Sequence, residues 1–290
     1  MLRTFLSAFA LLSCNPKTQD STQNHEGLKT EFTLPKKLKE VSGIALSNDK
    51  KIIWAIEDQG NKNVVYGIDL QGKQVADVLV SNAENNDWED ITADQEGNIY
   101  IGDFGNNDND RQNLSIVKLD LKDDFRAKTS VTQTTKFHYE GQTEFPPKKS
   151  NWLYDCEAFV EMDGNFYLFT KNRSKGFDGT FLVFRVPNKE GYFEAKLVGR
   201  LKLKGSYSDA AITSAAITRT KDKIVLLNHK NIQVLTGFTA DDFSTTKIQT
   251  LSLNHNSQKE AVVFLDDKTL LIADEKDKKT GGNVYRYSLP

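Results

Sequence analysis

Short apolar runs separated by polar turns make up most of this chain, and apolar runs of this length between turn residues are typical of β-strands. One plan recurs: an acidic or small polar residue opens an apolar strand, a polar turn reverses it, and a second apolar strand ends on a polar or charged residue. Five stretches follow it, at residues 40–58, 88–103, 154–171, 212–229 and 259–275. Repeated hairpins in a chain with almost no helical periodicity predict an all-β fold, the β-propeller.

The strands after each hairpin set the expected number of blades. Only one strand, at residues 283–289, follows the fifth hairpin, so we expect an N-terminal strand at 31–34 to complete the last blade and cover its edge. The sequence therefore predicts five blades, with six as the alternative if residues 104–152 hide an irregular unit. Two apolar strands follow each of the other hairpins, at residues 63–69 and 75–80, 114–119 and 134–139, 181–186 and 195–203, and 232–235 and 247–253.

Residues equidistant from a hairpin turn lie opposite one another, which locates the polar ends of these strands. Inner hairpins of a propeller surround its central channel, so their open ends should form an acid-rich ring at one mouth of that channel. Counting outward from each turn pairs, to within one residue, Ser42 with Glu57, Asp90 with Asp103, Glu157 with Thr170, Ser214 with His229 and Glu260 with Asp274.

Carboxylates that converge in this way repel one another unless a cation, shared protons or basic side chains compensate them. Carboxylate oxygens are the ligands that hard divalent cations prefer. We therefore expect a divalent cation, calcium in the first place, whose candidate ligands are Glu89, Asp90, Asp103, Glu157, Glu260 and Asp274. The alternative is a structural charge network, in which Lys171, His229, Arg111 and Arg173 are the local basic partners.

Two connections, at residues 103–111 and 139–152, are longer than a hairpin turn needs and should lie on the face of the acidic ring. Long loops on one face of a propeller commonly carry the binding surface. The first is rich in Asp and Asn but lacks the spacing of an EF-hand loop. Around this face the expected ligand-binding residues are Glu57, Asn106, Asn107, Arg111, Lys171 and Arg173.

Composition limits the class of protein. With 290 residues, 38% of them hydrophobic and 27% charged, the chain is long enough for one large domain, which we place at residues 29–290. The net charge of −2 argues against a nucleic-acid partner, which would require a concentrated basic stripe. We expect a monomer.

The N-terminal segment resembles a bacterial lipoprotein leader. A cationic start and a brief apolar run lead to Leu11-Leu12-Ser13-Cys14, which is similar to the lipobox that directs lipid attachment to a cysteine. We expect residues 1–14 to be a signal peptide ending at lipidated Cys14, and the polar residues 15–28 to be a flexible tether. This predicts a protein anchored to a membrane of the bacterial cell envelope, facing the periplasm or the exterior. A plain secretory signal is the alternative.

Acylation of Cys14 would leave Cys156 as the only thiol, so no internal disulfide could form. Cys156 lies inside the third hairpin, where a small buried apolar side chain is the expected role. A nucleophilic role would require a nearby base and a lowered pKa.

The run Glu40-Val-Ser-Gly-Ile-Ala, the segments 87–91 and 100–107 with Arg111, and Asp155-Cys-Glu-Ala resemble the secreted bacterial propellers of the SdiA-regulated and NHL-like groups. More distantly, the chain is similar to the calcium-dependent gluconolactonase and phytase propellers. This resemblance implies metal-binding acids in the channel mouth, and the matching positions are Glu89, Asp90, Asp103 and Glu157. The fourth hairpin departs from the pattern, with Ala215 where an acid is expected.

Two functional classes follow. The first is an envelope-anchored binding protein whose acidic mouth recognises a small molecule or an envelope protein, with or without the cation. The second is a metal-dependent hydrolase of an ester, lactone or phosphoester, in which the cation activates water and His229 or Glu157 transfers protons. The sequence contains no nucleophile elbow, no zinc-binding His-Glu-x-x-His and no phosphate-binding glycine loop.

Overall fold

The computed structural model describes residues 27–121 and 127–290, which form a nearly all-β structure. The predicted signal peptide with Cys14, and most of the predicted tether, lie outside the described residues. Among those described, helix is limited to α1 (Tyr207–Ala210) and a 3₁₀ turn at Lys149–Asn151. No helix in this part of the chain is long and apolar enough to cross a membrane.

The described residues contain strands at all the positions that the sequence predicts. In chain order they are β1 Lys29–Thr33, β2 Val41–Leu46, β3 Ile52–Glu57, β4 Val64–Asp69, β5 Gln74–Val80, β6 Trp88–Ala93, β7 Ile99–Asp103, β8 Ser115–Leu119, β9 Lys128–Thr129, β10 Val131–Tyr139, β11 Asp155–Met162, β12 Asn165–Lys171, β13 Thr180–Pro187, β14 Gly191–Lys202, β15 Ser214–Ile217, β16 Lys223–Leu227, β17 Asn231–Thr236, β18 Lys247–Ser252, β19 Lys259–Phe264, β20 Thr269–Asp274, β21 Lys276–Asp277, β22 Thr280–Gly281 and β23 Asn283–Ser288.

The five predicted hairpins are β2–β3, β6–β7, β11–β12, β15–β16 and β19–β20, and each is antiparallel and lies at an edge of its sheet. Strands β2 to β5 form one sheet, which β9 extends in parallel, and β15 to β18 form another. The second and third hairpins share an eight-stranded sheet, because β10 and β14 pair in parallel at their outer edges.

The first strands of the hairpins form a closed cycle, in which β2 contacts β6, β6 contacts β11, β11 contacts β15, β15 contacts β19, and β19 contacts β2. Small residues allow this close approach. A Cβ atom on Gly43 would lie only 2.7 Å from the backbone nitrogen of Ile91 on the neighbouring strand. Alanine occupies the equivalent positions 158, 215 and 261, and all three are buried.

Burial explains why inner and outer strands differ in sequence. Both β2 and β3 are buried along their whole length, and their residues are almost continuously apolar, as expected when both faces are covered. The outer strand β18 exposes most of its residues and is mostly polar. The apolar cores therefore lie between adjacent sheets.

The N-terminal strand completes the last sheet, as the sequence predicts. Strand β1 pairs antiparallel with β23, with Lys29 opposite Arg286 and Thr33 opposite Asn283. The order of this sheet is β1-β23-β20-β19. The two ends of the described domain are thus joined in one sheet, and β1 covers an edge that β23 would otherwise expose.

Candidate functional site

A β-bulge recurs at the open end of four of the five hairpins. Each bulge leaves one residue out of the ladder of paired residues and redirects its side chain. The bulges lie between Val41 and Gly43, Trp88 and Asp90, Cys156 and Ala158, and Lys259 and Ala261. The residues without a partner are therefore Ser42, Glu89, Glu157 and Glu260.

These four residues line one cavity of about 270 Å³ at the open ends of the hairpins, which we call the mouth. Its lining contains six carboxylate residues and only two cationic ones, so it is rich in acid, as the sequence predicts. The other residues that line it are Glu40, Asp58, Asn107, Lys171, Arg173, Gln258 and Glu275.

Four of the five predicted pairs agree with the structure to within one residue: Glu57 lies opposite Val41, Gly102 opposite Asp90, Thr170 opposite Cys156 and Asp274 opposite Lys259. The bulge in each of these hairpins adds one residue to one strand and shifts the positions beyond it. Ser214 lies opposite Leu227 rather than His229, so this predicted pair is wrong. No bulge interrupts this hairpin, and His229 lies two residues beyond the end of β16.

Three carboxylates converge beside the mouth, and two of them, Asp58 and Glu89, line it. Asp58 directly follows β3, Asp87 directly precedes β6, and Glu89 is the bulge residue of β6. One oxygen of each lies within 4.8 Å of the others, and the described residues contain no other such group of three acidic, histidine or cysteine side chains. We call Asp58, Asp87 and Glu89 the acid triad. The pKa of each of the three carboxyls is raised, mainly by burial and further by neighbouring negative charges. The pKa of Asp87 is raised to about 8.

The acid triad has no cationic partner among the described residues, although Asp58 Oδ1 accepts a hydrogen bond from the backbone nitrogen of Gln59 at 2.6 Å. Among the described residues, no Lys or Arg forms an ion pair with any of the three. Asp87 is only 5% exposed, and its Oδ1 atom is buried without a hydrogen-bond partner. Gly105 leaves room for the cluster, because a Cβ atom there would overlap Glu89 Oε1 and Asp87 Oδ2. Since buried polar atoms nearly always have partners, this arrangement is compatible with a divalent cation.

Glu157 has a different environment on the other side of the mouth. Its Oε2 lies 2.9 Å from Lys171 Nζ, and its Oε1 lies 2.8 Å from Arg173 Nη2. Arg173 also binds Asp155, with 2.6 Å between Nε and Oδ2. Burial opposes ionisation of Glu157, but the two cations outweigh it and lower its pKa. Glu157 is thus an ionised member of the charge network that the sequence offers as an alternative to a metal site.

Asp103 belongs to a second network, which fixes the loop after β7. Its Oδ1 accepts hydrogen bonds from Arg111 Nη2 at 2.9 Å and from the backbone nitrogen of Asp87 at 3.1 Å. Arg111 Nη1 donates to Gly105 O at 2.7 Å, and the backbone nitrogen of Asn106 donates to Asp155 Oδ1 at 2.8 Å. Arg111, Asp103 and Asn106 therefore hold the loop, whereas Asn107 lines the mouth.

Other predicted site residues have partners of their own. Glu260 Oε1 lies 2.8 Å from His229 Nε2 at the edge of the mouth. Asp274 is fully buried and accepts hydrogen bonds from Tyr285 Oη and the backbone nitrogen of Asn283, both at 2.8 Å. Glu57 accepts a hydrogen bond from the backbone nitrogen of Lys39 at 2.9 Å. The acid triad does not include these three carboxylates.

Asp90 lies in the fully buried interior rather than in the lining of the mouth. It accepts hydrogen bonds from the backbone nitrogens of Ile91, Phe159 and Ala215 and from Ser214 Oγ. This side chain joins three neighbouring first strands, so its hydrogen bonds are structural.

Cys156 is fully buried, and its Sγ lies 3.4 Å from Ala158 O. Burial raises its pKa well above the usual value. A catalytic thiol requires the opposite shift, so Cys156 has the expected role of a small buried side chain.

Two residues of the acid triad, Asp58 and Asp87, are absent from the sequence-based candidates. The sequence contains a feature that could have identified both as site residues, because each lies next to the end of a hairpin strand. The open ends of β3 and β6 bring these two residues together.

A larger groove of about 820 Å³ adjoins the mouth, since Gln258 and Glu275 line both. Gln258 Nε2 donates to Glu275 Oε2 at 3.0 Å, so this pair forms the boundary. His229 and His255 line the groove. A ligand at the mouth thus has space beside it.

No protein-family model and no curated protein matches this sequence. Solved structures do match. The PQQ-bound aldose sugar dehydrogenase from Streptomyces coelicolor is 9% identical, with 90% of this chain and 97% of that chain covered and a TM-score of 0.52. A chain of a nidogen/laminin complex is 14% identical, with 86% and 85% covered and a TM-score of 0.48. A gluconolactonase from Xanthomonas campestris is 11% identical, with 91% and 89% covered and a TM-score of 0.43.

The likeness to the aldose sugar dehydrogenase bears on the fold alone, because the identity is only 9%. The structural neighbours are β-propeller proteins, and the chain has a propeller-type fold. The resemblance to the SdiA-regulated and NHL-like groups stays a prediction.

Proposed function

We propose that this protein binds a divalent cation through the acid triad and that the cation takes part in recognising a ligand at the mouth. The observation that carries this proposal is the buried Asp87 Oδ1, which has no partner among the described residues although two other carboxylates lie beside it. Apart from Glu89 in the same triad, each of the carboxylates discussed above has a described donor or cation. A hard cation would satisfy Asp87 Oδ1 and relieve the repulsion within the triad.

Thermal unfolding tests this proposal. A cation that binds only the folded state stabilises it by about 2.7 kcal/mol at a hundredfold excess over its Kd. For a domain of this size we expect Tm to rise by about 2 to 4 °C per kcal/mol when calcium, magnesium or manganese is added to chelator-treated protein. Asp87→Asn and Glu89→Gln should abolish the rise. Asp267→Asn is the control, because it removes an exposed carboxylate from the turn between β19 and β20, at the opposite end of a hairpin. An unchanged wild-type Tm with all three metals would overturn the proposal.

A metal-dependent hydrolase is the second candidate, and the His229–Glu260 pair at the edge of the mouth favours it. A bound cation would supply Lewis acidity, and His229, oriented by Glu260, could accept a proton. Glu157 is the weaker base, because Lys171 and Arg173 lower its pKa. A panel of esters, lactones and phosphoesters tests this candidate. Activity that persists in His229→Gln, or is lost equally in His138→Gln on the outer strand β10, would exclude His229 as the base.

We also propose that the fold has five blades. The closed cycle of five first strands supports this count, with the eight-stranded sheet taken as two blades joined at their outer edges. An experimental structure of the domain would test it, and a sixth inner hairpin would contradict it.

Anchoring through Cys14 remains a proposal based on the lipobox-like sequence. Cys14→Ser should release the protein from the membrane fraction of a bacterial host. Unchanged fractionation of this variant would reject lipidation at Cys14.

A further inference from the structure

We infer that the ligand recognised at the mouth carries an oxyanion group, a carboxylate or a phosphate, which binds the cation and Arg173 together. This inference rests on the proposed cation site and specifies the ligand class for it. Arg173 lines the mouth, and its side chain is 27% exposed. Its Nε and Nη2 atoms bind Asp155 and Glu157, whereas no described residue accepts a hydrogen bond from Nη1.

Lys171 adds a second source of unused donors. It is only 8% exposed and lines the mouth, and its Nζ lies 2.9 Å from Glu157. An ammonium group has three donors, and no other described residue accepts one of them. Burial disfavours its charge, but Glu157 and Glu260 outweigh burial and raise its pKa, so Lys171 stays charged. Lys171 and Arg173 therefore present charged donors to the mouth.

Asp58 and Glu89 of the acid triad line the same cavity, of about 270 Å³, as Lys171 and Arg173, so one ligand in it has both the cation site and the free donors around it. The acid triad supplies three residues, whereas calcium takes six to eight oxygen ligands, so a cation there would have open positions toward the cavity. Open cation positions and free Arg donors both require acceptor oxygens. A carboxylate or phosphate offers two or more in one group.

The charge of the mouth also sets the order of binding. Lys171 and Arg173, the two cationic residues among those that line it, already bind Glu157, and an oxyanion alone meets carboxyl groups on the other side. A bound divalent cation supplies a direct ligand contact and a positive charge beside those carboxyl groups. The oxyanion should therefore bind only with the cation, and each should strengthen binding of the other by the same factor.

Calorimetric titration of the full chain with calcium or magnesium, with and without acetate or inorganic phosphate, tests this inference. We expect one of the two anions to raise cation affinity about tenfold, within the usual range for coupled sites, and neither to bind in chelator. Enhancement by acetate alone indicates a carboxylate ligand, and enhancement by phosphate alone indicates a phosphate ligand. Cation binding that neither anion changes would overturn this inference but leave the proposed function intact. Absence of cation binding would overturn both.

Arg173→Lys is the informative variant, because it keeps a charge beside Asp155 and Glu157 but removes the planar guanidinium. It should bind the cation as wild type does and lose most of the enhancement by the anion. Arg200→Lys, on the exposed part of β14, is the matched control and should retain it.

Asn107→Ala, which leaves the ion pairs of Arg173 intact, provides a second variant if Arg173→Lys fails to fold. Because Asn107 lines the mouth, the anion should also raise cation affinity less in Asn107→Ala than in wild type. Full enhancement in every folded mouth variant would contradict the inference.

Discussion

Asp90 Oδ2 lies 3.2 Å from the backbone nitrogen of Phe159, and this hydrogen bond joins β6 to β11. The same carboxylate reaches β15, where Ser214 Oγ lies 3.2 Å from its Oδ1. Ser214 Oγ in turn accepts a hydrogen bond from the backbone nitrogen of Val262 in β19, also at 3.2 Å. One buried carboxylate thus connects four of the five first strands, directly or through Ser214.

Removal of Asp90 should therefore destabilise the whole domain. Asp90→Ala leaves buried backbone donors without their acceptor, and we expect the free energy of unfolding to fall by about 3 to 5 kcal/mol. Urea unfolding followed by tryptophan fluorescence measures the change. The exposed control Asp267→Asn should stay within about 0.5 kcal/mol of wild type. An equally small effect of Asp90→Ala would show that the carboxylate does not hold these strands together.

Gly105→Ala should disable the acid triad without unfolding the protein. The added Cβ atom would overlap Glu89 Oε1 and Asp87 Oδ2, so both carboxylates must move. We expect the cation-dependent rise in Tm to disappear. The control Gly67→Ala crowds the apolar Trp54 side chain instead, with 3.0 Å to its nearest ring atom, and should lower Tm but keep the cation response. A full response in Gly105→Ala would place the cation elsewhere.

Arg111→Met should loosen the loop after β7. Arg111 binds Gly105 O and Asp103. The side chains of Arg111 and Asp103 are only 17% and 7% exposed. We expect a loss of about 2 kcal/mol, because Asp103 keeps its bonds to Asn86 and to the backbone of Asp87. Hydrogen exchange at residues 104–110 should accelerate at least about tenfold. Arg286→Met, which breaks an ion pair with Glu31 at the outer edge, should leave exchange in this loop unchanged.

The metal-free protein should lose stability as pH rises from about 5 to 8. Burial is the main cause that raises the pKa of Glu275 to about 8, and the charges of Glu260, Asp58 and Glu40 add to it against the opposing charge of Lys171. A raised pKa means that the folded state favours the neutral acid. Its contribution is therefore complete below the unfolded pKa near 4.5 and is lost as pH approaches 8. Glu275 is partly exposed, so we discount this to about 2 kcal/mol.

Urea unfolding at pH 5 and pH 8 in chelator measures this effect. Glu275→Gln should show a smaller difference between the two pH values, because its amide does not titrate. An identical difference in both proteins would assign the pH dependence to other groups.

The strands could be predicted because short apolar runs and turn residues are local signals. The hairpin at residues 154–171 follows from them, whereas the partnership of β1 with β23 follows from the number of strands left for the last sheet. The bulges could not, because an unpaired residue such as Glu89 looks in sequence like any other position of a strand. The bulge at Glu89 has a large effect on the site, because it gives two adjacent acidic residues different roles. Glu89 enters the triad, whereas Asp90 turns into the interior.

The residues of the mouth could be predicted only in part for a similar reason. Glu157 and Lys171 lie at strand ends and are recognised there, but the sequence does not show that they bind each other. Asp58 and Asp87 lie just beyond strand ends, and only the closed cycle of strands places them side by side.

The direction of β1 determines how the domain would face a membrane. β1 runs from Lys29, opposite Arg286, toward Thr33 at the mouth side, and Leu28 packs against the cluster of Phe264, Leu270 and Leu289 near the hairpin turns. The chain therefore enters the domain from the end opposite the mouth. If the proposed lipid at Cys14 holds the protein on a bilayer, the turns would face the lipid headgroups and the acid triad would point toward the open compartment. Diffusing ligands could then reach the site without passing between the protein and the membrane.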